Sequence, residues 1–382
     1  MRKKKLLILS FSDISADPRV RKQVQLFADR YEVTTAGFGV APAGVAQHIE
    51  IPTESTLGNV NGRFILLRQY RMAYWQIPVI KAAWRILKGG KFEVILSNDL
   101  DAVPIALRLK PRLGVHADLH EFYPGLHEDI PAWEKWRKPW ISWLCSHYLP
   151  KVSSTSTVSN GLCRAYREQF GIDPLLVPNA TPYAEFTPRE VAEPIRLVHS
   201  GVLHRNRRLE VTLEAVRDVG PGVSLDLYLV NKDSAYLAEL QEVYGCEWIV
   251  FHSAVPYEKL LSTLNRYDLG VHVLAPTNFN NKWALPNKFF DYTQARLGLL
   301  IGPSLEMAPL VEEYRNGAVA SGFCAADLAK VLRGLTTEKV SQWKQASDRI
   351  AHELSSENQM QNWETAISRL AASDSRPRPG IN

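Results

Sequence analysis

The sequence predicts an α/β fold built from two parallel-sheet domains. Short apolar runs rich in β-branched residues alternate with helical patterns along the chain, which is typical of parallel sheets. A length of 382 residues suits two domains of about 150–190 residues each. A proline-rich stretch, Val177 to Pro194, separates the two halves and breaks any continuous element.

Each predicted strand is an apolar run bounded by turn residues or by a helical pattern. In the first half the predicted strands are Leu6–Phe11, Glu32–Ala36, Phe92–Ser97, Val115–Leu119 and Lys151–Val158. In the second half they are Ile195–Ser200, Ser224–Val230, Trp248–Phe251, Leu269–Val273 and Leu299–Gly302. These elements predict a first domain over 1–178, a linker over 179–194, a second domain over 195–355, a helix over 356–372 and a disordered tail over 373–382.

The composition indicates a globular protein of a reducing compartment. Hydrophobic residues make up 46% of the chain and charged residues 22%. The four cysteines are widely separated and form no C-x-x-C pair, which argues against a zinc site or a disulfide framework. The basic start precedes an apolar run too short for a signal peptide, and no apolar stretch approaches a membrane span. We therefore expect a cytoplasmic protein.

Positive charge is concentrated in the first half. Residues 1–190 hold 25 Lys+Arg and 18 Asp+Glu, a balance of +7, whereas the remainder has a balance of −2. Such a bias suggests an anionic partner: a membrane surface, a lipid phosphate or an acidic glycan. Two stretches, 63–88 and 133–143, interleave bases with aromatic rings, as interfacial helices on anionic lipid do. The alternative is that the rings face the core. We expect no nucleic-acid partner, because no binding motif accompanies the charge.

The segment 285–302 predicts a phosphate site. A loop with Pro286 and Asn287 opens an amphipathic helix, whose first N–H groups and positive dipole end attract phosphate. Lys288 adds a full positive charge there. Asp291, one turn further on, could accept hydrogen bonds from ribose hydroxyls. An ordinary capped helix is the alternative for this segment alone.

A matching strand–loop–helix segment lies upstream at 195–216. Its strand ends at Gly201, where the missing Cβ allows a backbone to approach a ligand closely. The following loop carries Arg205, Arg207 and Arg208, which together would make a strong anion site. Solvated surface arginines are the alternative, but the pair of segments favours nucleotide binding.

Two junctions in the first half carry further candidates. Asp17 and Pro18 suit the N-cap and first turn of a helix. Arg19 follows them as a structural or acceptor-side residue. His120 and Glu121 follow a predicted strand, and polar residues at the carboxyl end of a parallel strand reach the ligand crevice. His120 could transfer a proton or bond a sugar hydroxyl, although a lone histidine is usually structural.

Two short motifs are not predicted to be sites. The G-F-G at 37–39 lacks the rest of a G-x-G-x-x-G fingerprint, which weighs against a dinucleotide-dependent oxidoreductase. Asp99-Leu100-Asp101 has the D-x-D spelling of a metal site, but acidic residues in a first helical turn are explained by the helix dipole. We expect no metal and no other cofactor.

Several motifs, taken in order, resemble family 4 glycosyltransferases of the GT-B fold. They are D-P-R-V-R-K at 17–22, D-L-H-E at 118–121, T-V-S at 157–159, G-V-L-H-R-N-R-R-L-E at 201–210 and L-P-N-K-F-F-D-Y at 285–292. The resemblance covers nearly the whole chain. It implies two Rossmann-like parallel-sheet domains facing a central cleft. The first would bind the acceptor and the second a nucleotide-sugar, with the C-terminal helix crossing back to the first.

The resemblance also implies an activity: metal-independent, hexosyltransferase-type transfer from a nucleotide-sugar to a glycan or lipid-linked acceptor, with retention. The setting would be cell-surface polysaccharide or glycoconjugate biosynthesis, and the stretches 63–88 and 133–143 would place the protein on the cytoplasmic face of the membrane. The implied catalytic residues are His120, Arg207 and Lys288; the donor-binding residues are Gly201, Arg205, Pro286, Asn287 and Asp291; the acceptor-side residues are Arg19 and Glu121. For the diphosphate, Arg207 is the first choice and Arg205 the second.

One departure from the family pattern keeps two alternatives open. Many members carry a spaced pair of glutamates; Asp291 stands at the second position, but Trp283 stands at the first. The missing carboxylate leaves a non-catalytic GT-B binding protein as one alternative. A GT-B nucleotide-sugar epimerase is the other, although no second acid–base pair is evident. The nucleotide base, donor sugar, acceptor and linkage are not specified by these motifs.

Overall fold

The computed structural model describes residues 2–52 and 57–372 of the protein. The chain divides into two compact units. Unit 1 contains the described residues up to 178, together with 278–280 and 360–372, and unit 2 contains 179–277 and 281–359. Residues 177–194 form no helix or strand. The predicted disordered tail, 373–382, lies outside the described residues.

Unit 1 is built on a seven-stranded parallel sheet with the order β3-β2-β1-β4-β5-β6-β7. Its strands are β1 (Lys4–Asp13), β2 (Tyr31–Phe38), β3 (Gln47–Glu50), β4 (Val94–Asn98), β5 (Gly114–Leu119), β6 (Ser154–Thr157) and β7 (Leu175–Leu176). Four successive side chains of β1, Leu6 to Leu9, are fully buried. Because successive side chains point to opposite faces, both faces of this sheet are covered.

Helices fill the connections between these strands. They are α1 (Pro18–Phe27), α2 (Gly62–Leu66), α3 (Tyr70–Trp75), α4 (Pro78–Leu87), α5 (Asp99–Arg108), α6 (Lys138–Tyr148) and α7 (Asn160–Phe170). The Asp17 side chain accepts hydrogen bonds from the backbone N–H groups of Arg19 and Val20, so the predicted start of α1 is confirmed.

Unit 2 is built on a six-stranded parallel sheet with the order β10-β9-β8-β11-β12-β13. Its strands are β8 (Ile195–Val202), β9 (Val223–Val230), β10 (Ile249–Ser253), β11 (Leu269–His272), β12 (Gly298–Ile301) and β13 (Gly317–Val319). The helices that follow α7 in the chain are α8 (Glu210–Val219), α9 (Ser234–Tyr244), α10 (Tyr257–Leu264), α11 (Phe279–Lys282), α12 (Asn287–Gln294), α13 (Met307–Tyr314), α14 (Ala325–Arg333), α15 (Thr337–Ile350) and α16 (Ser356–Gln359).

The last helix, α17 (Gln361–Ala372), packs in unit 1. Its Trp363 is buried, and the indole Nε1 donates to Asp118 Oδ1 at 3.2 Å. Of the helices in the described part of the chain, none is both long enough and apolar enough to cross a membrane.

Every strand predicted from the sequence is present, and the prediction of parallel α/β sheets is confirmed. The sequence analysis missed β3, β7 and β13. All three are edge strands of two to four residues, too short to show an alternating pattern. The strand predicted over Lys151–Val158 is shorter than expected, because a 3₁₀ turn at Leu149–Lys151 precedes it.

Candidate functional site

The candidate site lies at the carboxyl edge of the sheet in unit 2, where β8 and β11 are neighbours. From β8 the strand order runs to one edge through β9 and β10, and from β11 it runs to the other through β12 and β13. The connections therefore diverge between β8 and β11. Open parallel sheets bind their ligands at such a switch point, outside the carboxyl ends of the strands.

A cavity of about 340 Å³ opens at this switch point. Its lining comes from the end of β8, the loop after it, the end of β11 and the first turn of α12. The lining includes His199, His204, Asn206, Arg207, His272 and Lys288. The structure thus brings together Arg207 and Lys288, which lie on separate predicted segments.

Within the described part of the chain, the two cations in this cavity have no counter-ion. Neither Arg207 nor Lys288 forms an ion pair with any residue that the structure describes. Burial, followed by the charge of Arg207, lowers the pKa of Lys288 to about 8, and the charge of Asp291 opposes the shift. Two uncompensated positive charges in one concave site attract an anion of matching charge.

Gly201 is required where Lys288 approaches β8. Its φ is +144°, a conformation that favours glycine, and a Cβ at this position would lie 2.6 Å from Lys288 Nζ. The sequence analysis expected a ligand to approach Gly201 closely. In the structure the Lys288 side chain makes that approach, so the missing Cβ of Gly201 leaves room for the amine.

The remaining residues of the 285–302 segment divide between the helix start and the interior. Pro286 is the N-cap of α12 and offers no side-chain hydrogen bond, and Asn287 is the first helical residue. Asp291 is buried, and its Oδ1 accepts a hydrogen bond from the Thr181 hydroxyl at 2.6 Å. Asp291 is not part of the cavity lining, and its contact with a ribose stays a prediction.

Arg205 and Arg207 are two positions apart but have different surroundings. The Arg205 guanidinium pairs with Asp233 at 3.2 Å and Glu239 at 3.1 Å, and it lies 4.3 Å from the Tyr236 ring centre. It does not line the cavity. The geometry therefore favours Arg207 over Arg205 as the residue that meets an anion.

Two histidines that the sequence analysis did not single out line the same cavity. His199 Nδ1 donates to the Val271 carbonyl at 3.0 Å, and burial, Lys288 and Arg207 lower the pKa of His199 to about 3. Burial, followed by the charge of Lys288, holds the pKa of His272 well below its usual range. Both rings are therefore neutral at physiological pH. A histidine inside a strand pattern gives no sequence signal, because most are structural.

In unit 1, His120 lies between two carboxylates. Its Nδ1 is 3.1 Å from Asp99 Oδ1, and its Nε2 is 3.3 Å from Asp118 Oδ2. Burial alone would lower the pKa of His120, but the nearby carboxylates outweigh burial and raise it. The arrangement favours the imidazolium form, which donates hydrogen bonds and cannot accept a proton.

Arg19 is buried and contacts the same carboxylate, Asp118, as this histidine. Its Nε and Nη2 donate to the two oxygens of Asp118 at 2.6 and 2.7 Å, and Nη2 also donates to the Val177 carbonyl at 3.0 Å. Burial would raise the pKa of Asp118, but the Arg19 guanidinium lowers it well below its usual range. This geometry favours the structural role for Arg19. Glu121 is exposed, and its backbone carbonyl accepts from the Tyr166 hydroxyl at 2.7 Å.

The D-x-D motif, Asp99 and Asp101, lies at the start of α5. Burial and the neighbouring Asp99 raise the pKa of Asp101 to about 7, so its carboxyl is a poor ligand for a hard cation near neutrality. Among residues 2–52 and 57–372, no group of three or more histidine, cysteine or acidic side chains is arranged to hold a metal ion.

The two aromatic-basic stretches divide between core and surface. Tyr74 and Trp140 are buried, so those rings serve the core of unit 1. Helix α2 packs against the short helical segment Trp133–Arg137, and these two elements and their neighbours in the chain carry apolar side chains between 43% and 65% exposed. We call this region the apolar–basic surface; it comprises Leu66, Leu67, Met72 and Trp136 with the exposed bases Arg63, Arg68, Arg71 and Lys135.

Comparison with solved structures finds the same architecture in several proteins. HepE (Alr3699) of Anabaena in complex with UDP has a TM-score of 0.70 and 12% identity, covering 96% of this chain and 100% of that chain. Sucrose-phosphate synthase of Thermosynechococcus elongatus has a TM-score of 0.73 and 12% identity, covering 97% and 100%. A glycosyltransferase of Rickettsia africae has a TM-score of 0.69 and 11% identity, covering 97% and 99%.

No protein-family model and no curated protein sequence matches the chain. At the identities above, structural likeness shows the fold alone. The predicted GT-B fold, with two Rossmann-like parallel-sheet domains, is confirmed.

Proposed function

We propose that this protein is a glycosyltransferase that moves a sugar from a nucleotide-sugar to a glycan or lipid-linked acceptor. The observation that carries the proposal is the pair Arg207 and Lys288, two uncompensated cations in one cavity at the switch point of a GT-B sheet. HepE structures in complex with UDP and with UDP-glucose support a nucleotide-sugar as the ligand. Membership of family 4, retention of configuration and a place in cell-surface polysaccharide or glycoconjugate biosynthesis are parts of this proposal.

In the proposed reaction, the bond between the anomeric carbon and the diphosphate oxygen breaks. The acceptor oxygen bonds to the same face of that carbon, and the acceptor proton passes to the departing phosphate. Negative charge grows on the diphosphate, and Arg207, Lys288 and the start of α12 stabilise it in the transition state. Because these groups neutralise the charge, the proposal includes no metal ion. His120 would donate a hydrogen bond to a hydroxyl of the donor sugar only by releasing Asp99 or Asp118, because these carboxylates face its two ring nitrogens.

Calorimetric titration with UDP, GDP, ADP and dTDP tests the donor site. We expect one nucleotide to bind selectively. Arg207→Ala should weaken its binding about 10- to 100-fold, the range for a lost hydrogen bond to a charged group. Arg205→Ala is the matched control and should change binding by less than about threefold, because its partners are Asp233 and Glu239. Absence of binding by all four nucleotides, or equal losses in the two variants, would contradict the assignment.

A turnover assay separates this function from its alternatives. Trp283 stands where many family members have a carboxylate, and this observation favours a non-catalytic binding protein. A transferase should release the nucleoside diphosphate from its nucleotide-sugar only when a glycan or lipid-linked acceptor is added. Conversion of the nucleotide-sugar without an acceptor would indicate an epimerase. Tight binding with no turnover of any donor would indicate the non-catalytic protein.

We also propose that the protein is cytoplasmic and binds the inner leaflet of the membrane through the apolar–basic surface. Exposed leucines at headgroup depth and bases beside anionic lipid would each contribute, at about 1 kcal/mol per base. Vesicle sedimentation should show salt-sensitive binding to phosphatidylglycerol vesicles and little to phosphatidylcholine vesicles. Replacing Leu66 and Leu67 by Glu should abolish it. Val40→Glu, at a 70% exposed valine outside both stretches, should not. Equal effects of the two changes would refute the proposal.

A further inference from the structure

Unit 1 contains a separate cavity whose polar lining is entirely basic. Its volume is about 460 Å³, and it is lined by α3, the end of α5, the end of α6 and the 3₁₀ turn that follows α6. The basic side chains are Arg71, Arg108, His147 and Lys151, and the other lining residues are Pro104, Leu107 and Tyr148. Such a lining fits an anion that carries an apolar part.

The stretches of sequence that build this cavity contain no acidic residue. Residues 62–92, 102–117 and 135–152 hold seven, three and four Lys+Arg, respectively, and no Asp or Glu. They comprise α2, α3, α4, most of α5 and all of α6. A cluster of one sign repels itself, and an anionic partner relieves that repulsion.

Aromatic rings contact Arg108 without using its N–H groups. The guanidinium lies 4.4 Å from the Trp75 ring centre and 4.3 Å from the Trp84 ring centre. Neither Arg108 nor Arg71 makes a side-chain hydrogen bond or an ion pair within residues 2–52 and 57–372. The donors of both guanidinium groups are therefore available to an incoming anion.

The other two bases lie on α6 and on the turn after it. Lys151 Nζ is 3.1 Å from His147 Nε2 and 5.5 Å from the Tyr148 ring centre. The His147 ring stacks on Trp143 with ring centres 4.6 Å apart. Burial, followed by the charges of Lys151 and Arg71, lowers the pKa of His147, so its imidazole is neutral near pH 7 and can accept from the ammonium. Three permanent cations thus line the cavity.

The number of cations indicates which anion fits. A phosphomonoester carries a charge of about −1.5 to −2 at pH 7 and has three strong acceptor oxygens. A phosphodiester carries a single charge and has fewer such oxygens, so it matches three cations less well. The cavity also adjoins the apolar–basic surface, because Arg71 belongs to both and Met72 follows it on α3. A lipid headgroup is therefore the favoured source of the phosphate.

We propose that this cavity binds a phosphomonoester group, supplied by the headgroup of a membrane lipid such as phosphatidic acid. Arg71, Arg108 and Lys151 bind the phosphate oxygens, and the apolar side chains of Pro104 and Leu107 contact the glycerol. The inference rests on the membrane binding proposed above for the source of the phosphate, and it does not depend on glycosyl transfer.

Vesicle sedimentation tests the site with phosphatidic acid and phosphatidylglycerol vesicles that are matched in electrophoretic mobility. The wild type should bind the phosphatidic acid vesicles about tenfold more tightly, the effect of an additional hydrogen bond to a charged group. Arg108→Gln combined with Lys151→Gln should reduce this ratio to about one. The matched control combines Lys81→Gln with Arg85→Gln, at exposed positions of α4 outside the cavity. It should weaken binding to both kinds of vesicle equally and keep the ratio.

A single substitution guards against loss of the fold. Lys151 is exposed and does not contact the two tryptophans that hold Arg108, so Lys151→Gln should keep the wild-type Tm. It should still lower the ratio at least threefold. An unchanged ratio in Lys151→Gln and in the double variant would overturn the inference.

Calorimetry with glycerol 3-phosphate distinguishes a lipid from a soluble phosphate as the ligand. The titration uses the Arg207→Ala variant, so that the donor cavity takes up less of the probe. We expect weak binding that the Arg108 and Lys151 substitutions abolish. If glycerol 3-phosphate binds in this way but the vesicle ratio is one, the phosphate site stands and its lipid source is overturned.

The remaining outcomes separate this inference from the proposed function. Equal binding to the two kinds of vesicle, with no binding of glycerol 3-phosphate, would overturn the site. Equal losses of the ratio in the cavity variant and its control would assign the preference to charge alone and would also overturn it. Failure of all four nucleotides to bind would overturn glycosyl transfer and leave this site standing if the ratio behaves as expected.

Discussion

The titration of Lys288 predicts that nucleotide binding weakens as pH rises above neutrality. The pKa of Lys288 is about 8 in the free protein, held down by burial and by Arg207. A bound diphosphate would stabilise the ammonium form and raise that pKa. Binding above pH 8 must therefore take up a proton, and linkage requires the affinity to fall with rising pH.

The size of the effect follows from the free-protein pKa. With a pKa of about 8, roughly nine-tenths of the amines are charged at pH 7 and roughly one-tenth at pH 9, so the affinity should fall about tenfold, or ~1.4 kcal/mol. Titration of the nucleotide itself adds little to this pH dependence, because the second pKa of a phosphate is about 6. His199 and His272 are neutral from pH 7 to pH 9, so they do not add to this pH dependence. Calorimetry with UDP at pH 7, 8 and 9, in buffers of different ionisation enthalpy, measures both affinity and proton uptake.

Two variants test whether the pH dependence comes from Lys288. Lys288→Arg keeps the charge at every pH and should give an affinity that is flat from pH 7 to pH 9. Arg207→Ala removes a charge that lowers the pKa of Lys288, so the remaining binding should lose affinity at higher pH than in the wild type. A flat profile in the wild type would refute the reasoning. So would a slope in Lys288→Arg equal to the wild-type slope.

Three further predictions concern stability. Lys288→Met should raise the free energy of unfolding by about 3 kcal/mol in denaturant titrations below pH 8, because the pKa of Lys288 falls from 10.5 when unfolded to about 8 when folded. The gain should vanish above pH 10.5, where the amine is neutral in both states. Arg19→Met should cost about 3–5 kcal/mol by leaving a buried carboxylate unpaired, whereas Arg30→Ala, which breaks an exposed pair, should cost less than about 1 kcal/mol. Gly201→Ala should lower both the Tm and the UDP affinity because its Cβ meets Lys288. Gly220→Ala, strained at φ +76° but in open space, should lower the Tm alone.

The sheets were predictable from the sequence because each central strand is a continuous apolar run. That pattern is imposed by burial on both faces, as at Leu6 to Leu9 of β1. The edge strands are too short to show this apolar pattern. Leu175–Leu176 is only two residues long, so its pairing with β6 is decided by the path of the chain and not by its composition.

The candidate site was predictable only in part. Charge and position in a strand–loop–helix pattern identified Arg207 and Lys288. The family resemblance ranked Arg207 above Arg205, but charge and position alone could not, because the partners of Arg205 are Asp233 and Glu239, about thirty residues away at the start of α9 and within it. The unbonded Nε2 of His272 was also not predictable from the sequence, because its hydrogen bonding depends on which described residues surround β11.

Charge compensation distinguishes Lys344 from Lys288, the lysine that we propose binds the diphosphate. Lys344 is 1% exposed and lies 3.0 Å from Asp268, so the fold supplies its counter-ion. Lys288 has no such partner among residues 2–52 and 57–372, although burial lowers the pKa of both amines. An unpaired buried ammonium destabilises a folded protein, and replacing it with an apolar side chain removes that cost. The anion that we propose for this cavity would supply the counter-ion that Lys288 lacks within the described residues.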